Sequence, residues 1–126
     1  MKRNPAKVLC ILLLGTAVTL TANAQTPDKF IGIWEQKAPD APGYETGEVT
    51  IQKESISTTF SGYSDKYPAD WHKYKSDTLK YAMNVDGENV DCYLLVKDKS
   101  NLVGYATWSD GETDLILTRI KKQKSE

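Results

Sequence analysis

The sequence has 126 residues, which is enough for one domain with a single hydrophobic core. Its 16 basic and 17 acidic residues give a formal net charge of −1, so it lacks the dense basic face that binding to nucleic acid or anionic membranes requires. With two cysteines and one histidine, the sequence gives little support for a disulfide framework, a metal centre or histidine-based catalysis.

The first 24 residues have the pattern of a cleavable export signal. Lys2, Arg3 and Lys7 precede an apolar run over 8–20, and a small-x-small step over 22–24 follows it. The run is short for a permanent membrane span. We therefore predict cleavage directly after this step and a periplasmic or secreted mature chain that is more acidic than its precursor. That chain keeps one cysteine, so it forms no intramolecular disulfide.

The mature chain, residues 25–126, is predicted to form one all-β domain. Alternation of apolar and polar residues, with many β-branched and aromatic side chains, carries this prediction. The segment at 71–75 is also compatible with a single helical turn. The predicted strands are 31–36, 48–53, 56–61, 71–75, 78–85, 90–97, 102–108 and 113–120.

The turns between the later strands are evenly spaced. Asp86, Asp98 and Asp110 are twelve residues apart, and Asp86-Gly87 is a typical two-residue hairpin turn. This spacing is typical of an up-and-down meander. Eight antiparallel strands in a small domain form either a sandwich or a barrel. Simple connections and the removal of exposed edges favour a closed eight-stranded barrel.

The connections of such a barrel alternate between its two ends. The two long loops, 38–46 and 62–70, then share one end, which predicts an open mouth there and a closed floor at the other end. The turns 86–89 and 109–112 also fall at the mouth, whereas the floor holds both termini and the turns 53–55, 75–77 and 98–101.

Inward-facing positions follow from the alternation, although a register slip by one residue would exchange the faces. An eight-stranded barrel is wide enough either to be filled by its own side chains or to hold one small ligand, and both remain open here. Gly104 and Ala106 leave room if they point inward. The inward set is Trp34, Val49, Ile51, Phe60, Leu79, Tyr81, Met83, Val90, Cys92, Leu94, Leu115 and Leu117.

Six aromatic residues are the candidate ligand-binding residues. Four of them, Tyr44, Tyr63, Tyr67 and Trp71, are expected to ring the mouth. Trp108 is expected to lie close to the mouth, and Tyr81 to face the interior. The expected ligand is a small apolar or amphipathic molecule, because such pockets are apolar with a few polar groups.

Gly32-x-Trp34 at the start of the first strand and Arg119 near the end of the last resemble the signature of the lipocalin-like (calycin) superfamily. The resemblance implies that Trp34 plugs the closed end and that Arg119 packs across its indole. A guanidinium stacks favourably on such a ring. The chain departs from secreted lipocalins in being shorter, in lacking a C-terminal helix and in lacking a clear Thr-Asp-Tyr step.

A second resemblance, to small exported protease-inhibitor barrels, keeps a protein partner open. Those barrels occupy a partner's cleft with an N-terminal segment and rim loops. Here the segment 25–29 is short and their disulfide is missing. Tyrosine-rich rim loops nevertheless suit a protein–protein contact.

Enzyme chemistry has little support in the sequence. His72 and Asp70 would share a strand face, but no nucleophile is tied to them. Cys92 lies on an apolar face, which predicts a buried, inert thiol. No ligand spacing for a metal is present. We expect no catalysis, no cofactor, no metal, no nucleic-acid partner and no membrane span after cleavage.

Overall fold

A computed structural model describes residues 26–121, so the predicted signal peptide at 1–24 lies outside the described residues. A short 3-10 turn, Asp28–Phe30, precedes eight antiparallel strands that form a closed up-and-down barrel in sequence order. The predicted fold class is confirmed. The strands are β1 (Gly32–Lys37), β2 (Thr46–Ile51), β3 (Ile56–Phe60), β4 (Lys66–Lys75), β5 (Thr78–Val85), β6 (Glu88–Asp98), β7 (Asn101–Trp108) and β8 (Gly111–Arg119).

Closure joins the first strand to the last. β1 pairs with β2 on one side and with β8 on the other, and Trp34 lies opposite Arg119 in the second pairing. Because every strand has two neighbours, the described sheet has no free edge to recruit another chain.

The hairpin between β5 and β6 is the two-residue turn that the sequence predicts. Asp86 has a φ of 54° and Gly87 a φ of 92°. Positive φ at both central residues matches the right-handed twist of the flanking strands. This tight turn leaves β5 and β6 paired from Val85 and Glu88 to Thr78 and Leu95.

β4 is longer than predicted and contains a β-bulge. It begins at Lys66 rather than at 71, and it reaches β3 through the pairing of Pro68 with Ser57. Ala69 lies opposite Met83, but Trp71 lies opposite Ala82, so one residue is left over between them. A bulge of this kind exchanges the inner and outer faces of the strand beyond it.

The predicted inward residues form the core. Nearly all of them are buried, and Val90 is partly buried. Gly104 has a different role from the expected one. A Cβ at this position would overlap the carbonyl oxygen of Tyr93, so glycine permits close approach of β7 to β6.

Among residues 26–121, no helix has the length and apolar character that a membrane crossing needs.

Candidate functional site

The floor of the barrel is closed by Trp34 and Arg119. The Arg119 guanidinium carbon lies 4.2 Å from the centre of the Trp34 ring. The Trp34 indole N–H donates to the Phe30 carbonyl at 3.0 Å. Both partners are therefore held in place, and the barrel is closed at this end as the sequence predicts.

Arg119 also donates hydrogen bonds to three backbone carbonyls, two in the segment before β1 and one in the turn before β7. Its Nη1 donates to the Ile31 carbonyl at 2.6 Å, its Nη2 to that of Lys29 at 3.0 Å, and its Nε to that of Lys99 at 3.1 Å. Gly32 is required beside it, because its φ of 147° is a glycine conformation and a Cβ there would lie 2.6 Å from Arg119 Nη1. The floor is thus a structural seal.

A cavity of about 240 Å³ opens at the opposite end. This volume is just below the roughly 300–1,000 Å³ typical of small-molecule sites. Its lining is mainly apolar and comes from the loop after β1 and from the mouth ends of several strands. Apolar members of the lining include Ala38, Phe60, Met83, Val85, Val90 and Leu115.

Asp86 connects two tyrosines at the mouth. Tyr44 donates to Asp86 Oδ2 at 2.6 Å, and Tyr67 donates to Asp86 Oδ1 at 2.8 Å. Tyr63 stacks on Tyr44 with ring centres 5.1 Å apart, and Phe60 packs edge-on against Tyr44. The loops after β1 and β3 are therefore linked to the β5–β6 turn, an arrangement called here the Asp86 clasp.

The clasp shifts the pKa of each of its members. The two tyrosine donors, Tyr44 first and Tyr67 second, lower the pKa of the Asp86 carboxyl. The same hydrogen bonds are the main cause that raises the pKa of Tyr44 above its usual range and that of Tyr67 to about 12. At neutral pH the clasp is one carboxylate that accepts from two neutral phenols.

The structure brings most of the predicted aromatic residues to this end. Tyr44 and Trp108 line the cavity, and Tyr63 and Tyr67 belong to the packing around the clasp. Tyr81 points inward and is fully buried next to Cys92, which lines the cavity.

Trp71 departs from the expected ring. It is 45% exposed and lies on the outer face of β4 opposite Ala82. The reason is the bulge after Ala69, which reverses the alternation that places Tyr67 inside. Trp71 therefore does not line the cavity.

The sequence analysis did not select two polar residues of this region. Gln36 follows Trp34 by two residues on the inner face of β1, is 3% exposed, and lines the cavity. The spacing of two residues from inward-facing Trp34 indicated an inward position, but a glutamine is rarely expected on the apolar face of a strand. Asp86 was identified only as a turn residue, and nothing local in the sequence indicated its long-range partners.

The His72 and Asp70 pair does not form the expected arrangement, because the bulge interrupts the alternation on which it depended. His72 is partly buried, which lowers its pKa, and Asp70 is exposed. Burial raises the pKa of the Cys92 thiol to about 12. Within residues 26–121, no group of three or more His, Cys, Asp or Glu side chains is arranged to hold a metal ion.

Comparison with known proteins supports the fold. No family model matches the chain, and no curated protein matches it. Among solved structures, the chain is similar to a redesigned beta barrel, with 16% sequence identity and a TM-score of 0.59. The match covers 82% of this chain and 100% of that one. The likeness supports the barrel fold that the strand pairing shows, and the lipocalin-like assignment stays a prediction.

Proposed function

We propose that this chain is an exported, lipocalin-like protein that binds one small apolar or amphipathic molecule in the barrel mouth. The observation that carries the proposal is the apolar cavity of about 240 Å³ at the end opposite the sealed floor. An eight-stranded barrel filled by its own side chains would leave no such space.

The surroundings of the cavity support binding at a pre-formed site. Ala38, Ala41 and Tyr44 belong to one loop that contributes to the lining. Backbone hydrogen bonds from Ala41 to Ala38 and from Tyr44 to Ala41 fold this loop, and the clasp fixes its end. A rim held in this way loses little conformational entropy when a ligand enters.

The test is native mass spectrometry of the protein purified from its own host. We expect an additional small-molecule mass on the wild type. Ala106→Phe, which fills the cavity, should lose that mass, whereas Val103→Phe on the outer face of β7 should keep it. Circular dichroism verifies that both variants fold. A bare wild-type mass, together with no binding of added small aromatic compounds, would contradict the proposal.

The alternative function is binding of a protein, in the manner of a protease-inhibitor barrel. Exposed aromatic residues favour it: Tyr63 is 42% exposed at the rim, and Tyr105 is 47% exposed on the outer wall, where it stacks on Tyr93. Such residues are enriched at protein interfaces. Stoichiometric inhibition of a purified protease, lost in Tyr63→Ser and retained in Ala106→Phe, would support this alternative.

A further inference from the structure

We infer that the cavity selects a neutral molecule that carries a hydroxyl group over an anion of similar size, and that Gln36 recognises the hydroxyl. This inference rests on the proposed function, because it concerns the ligand of the same cavity.

The first observation is the environment of the Gln36 side chain. This side chain lines the cavity, is nine-tenths buried, and leaves Oε1 without a hydrogen-bond partner among the described residues. A buried amide oxygen without a partner is costly, so turning the amide toward the cavity and satisfying it with a bound group is favoured. Rotation about the last side-chain bond of glutamine is soft, so either amide atom can face a ligand. A hydroxyl, which both donates and accepts, suits either orientation.

The hydroxyl and carboxyl groups of the lining are already engaged by the protein. Tyr44 donates to Asp86. Glu88 accepts from the backbone and the side chain of Ser109. Thr113 accepts from the Asp40 backbone N–H at 2.9 Å and donates to the Asp114 carbonyl at 3.0 Å. Among the buried side chains of the lining that the structure describes, Gln36 therefore has a polar atom without a hydrogen-bond partner.

The charges at the mouth disfavour an anion. Glu88 lines the cavity, and Asp86 accepts a hydrogen bond from Tyr44, which also lines it. Hydrogen bonds lower the pKa of both carboxyls, so both are ionised at neutral pH. No lysine or arginine is among the described residues that line the cavity. A carboxylate entering it would be desolvated without a counter-ion and near two like charges.

The volume limits the size of the molecule. An apolar cavity of about 150 Å³ is known to hold benzene. The 240 Å³ here therefore accommodates a ring with a short side chain. Three probes of this size differ in the relevant group: 2-phenylethanol has the hydroxyl, propylbenzene has a methyl group in its place, and phenylacetate has a carboxylate.

The experiment measures the affinity of the three probes by calorimetry at pH 7 for the wild type and two variants. Gln36→Met removes the amide with little change in volume, and Gln52→Met makes the same chemical change at an exposed turn. We expect Gln36→Met to lower the ratio of alcohol to hydrocarbon affinity about tenfold, and Gln52→Met to leave it unchanged. Phenylacetate should bind the wild type at least about tenfold more weakly than the alcohol.

A second measurement serves if Gln36→Met does not fold. In the wild type, 2-phenylethanol should shift the NMR signal of the Gln36 side-chain amide, and propylbenzene should shift it much less. Three outcomes would overturn this inference while leaving the proposed function intact. They are an alcohol-to-hydrocarbon affinity ratio that Gln36→Met does not change, equal shifts of the Gln36 amide signal with the two probes, and tight binding of phenylacetate. Failure of all three probes to bind would overturn the proposed function and this inference with it.

Discussion

At the scale of single residues, Trp34 shows how one side chain serves both packing and closure. It is fully buried, donates to Phe30 and lies under Arg119. Its burial and its contact with Arg119 were predicted: the resemblance carried by the Gly-x-Trp step and Arg119 implies the contact, and closure makes the first and last strands neighbours. The hydrogen bond to Phe30 was not predicted.

Trp34→Ala should lower the free energy of unfolding by about 3–5 kcal/mol, because it leaves a large cavity in the core. Urea denaturation measures this loss. Trp71→Ala is the matched control, since Trp71 is 45% exposed, and it should cost about 1 kcal/mol or less. A loss below about 1 kcal/mol for Trp34→Ala would show that the indole does not plug the floor.

Gly32→Ala should destabilise the barrel by about 1–3 kcal/mol, because alanine is strained at a φ of 147° and its Cβ would displace Arg119. Gly62→Ala isolates the backbone contribution: Gly62 also has a positive φ, of 88°, but a Cβ there meets nothing within 4 Å. Thermal unfolding compares the two. Equal losses would mean that the contact with Arg119 contributes nothing.

Gln36 and Asp86 mark the limit of residue-level prediction. A polar residue at an inward position contradicts the alternation that identifies the strand, so pattern alone assigns it no role. The partners of Asp86, Tyr44 and Tyr67, are distant in sequence. Such contacts depend on the relative position of a loop, the start of β4 and a hairpin turn, which no local pattern records.

At the scale of elements, β4 is where sequence and structure differ most. The sequence analysis placed Tyr67 in a loop and Trp71 at the start of a strand, and it expected both side chains at the mouth. In the structure both residues belong to β4, and Tyr67 is buried. The bulge adds one residue between them, and a one-residue shift exchanges the faces. Pro68, which was interpreted as part of a loop, is tolerated close to this irregularity.

The Asp86 clasp should make the mouth sensitive to acid. Its hydrogen bonds lower the pKa of Asp86, so the stability they contribute is present above the carboxyl's ordinary value of 3.8 and is lost as the pH falls through the lowered pKa. We expect Asp86→Asn to reduce the free energy of unfolding at pH 7, and this difference from the wild type to disappear in acid. Urea denaturation at several pH values measures it.

Asparagine preserves the Asn-Gly hairpin preference, so the variant tests the carboxylate rather than the turn. Asp110→Asn makes the same change in the turn between β7 and β8 and should leave the wild-type pH dependence intact. A pH-independent difference for Asp86→Asn would contradict the clasp as the acid-sensitive element.

At the scale of the whole molecule, most of the architecture was predictable. Strand number, antiparallel order, closure and the opposite placement of floor and mouth all follow from periodicity, turn spacing and loop lengths. Whether the interior was filled did not follow. Several side chains from different strands together leave the cavity, and its volume depends on packing that the sequence pattern does not specify.

Cys92 lines the cavity and should be protected from alkylation in the folded protein. It is 5% exposed, and burial raises its pKa to about 12, so the reactive thiolate is scarce at neutral pH. We expect iodoacetamide to label it at least about a hundredfold more slowly in the folded protein than in urea, because the thiol is buried and its thiolate form is scarce. Mass spectrometry follows the reaction. Equal rates would indicate a mouth that freely admits the reagent.

The bulge in β4 has an evolutionary consequence. Asp70 is the residue left over between Ala69 and Trp71, so deleting it would restore regular alternation and leave Trp71 outside and His72 inside. A one-residue deletion between Trp71 and Lys75 would instead exchange the faces of part of the strand. The bulge is therefore a position at which β4 can lose a residue during evolution while each side chain keeps its place in the lumen or on the surface.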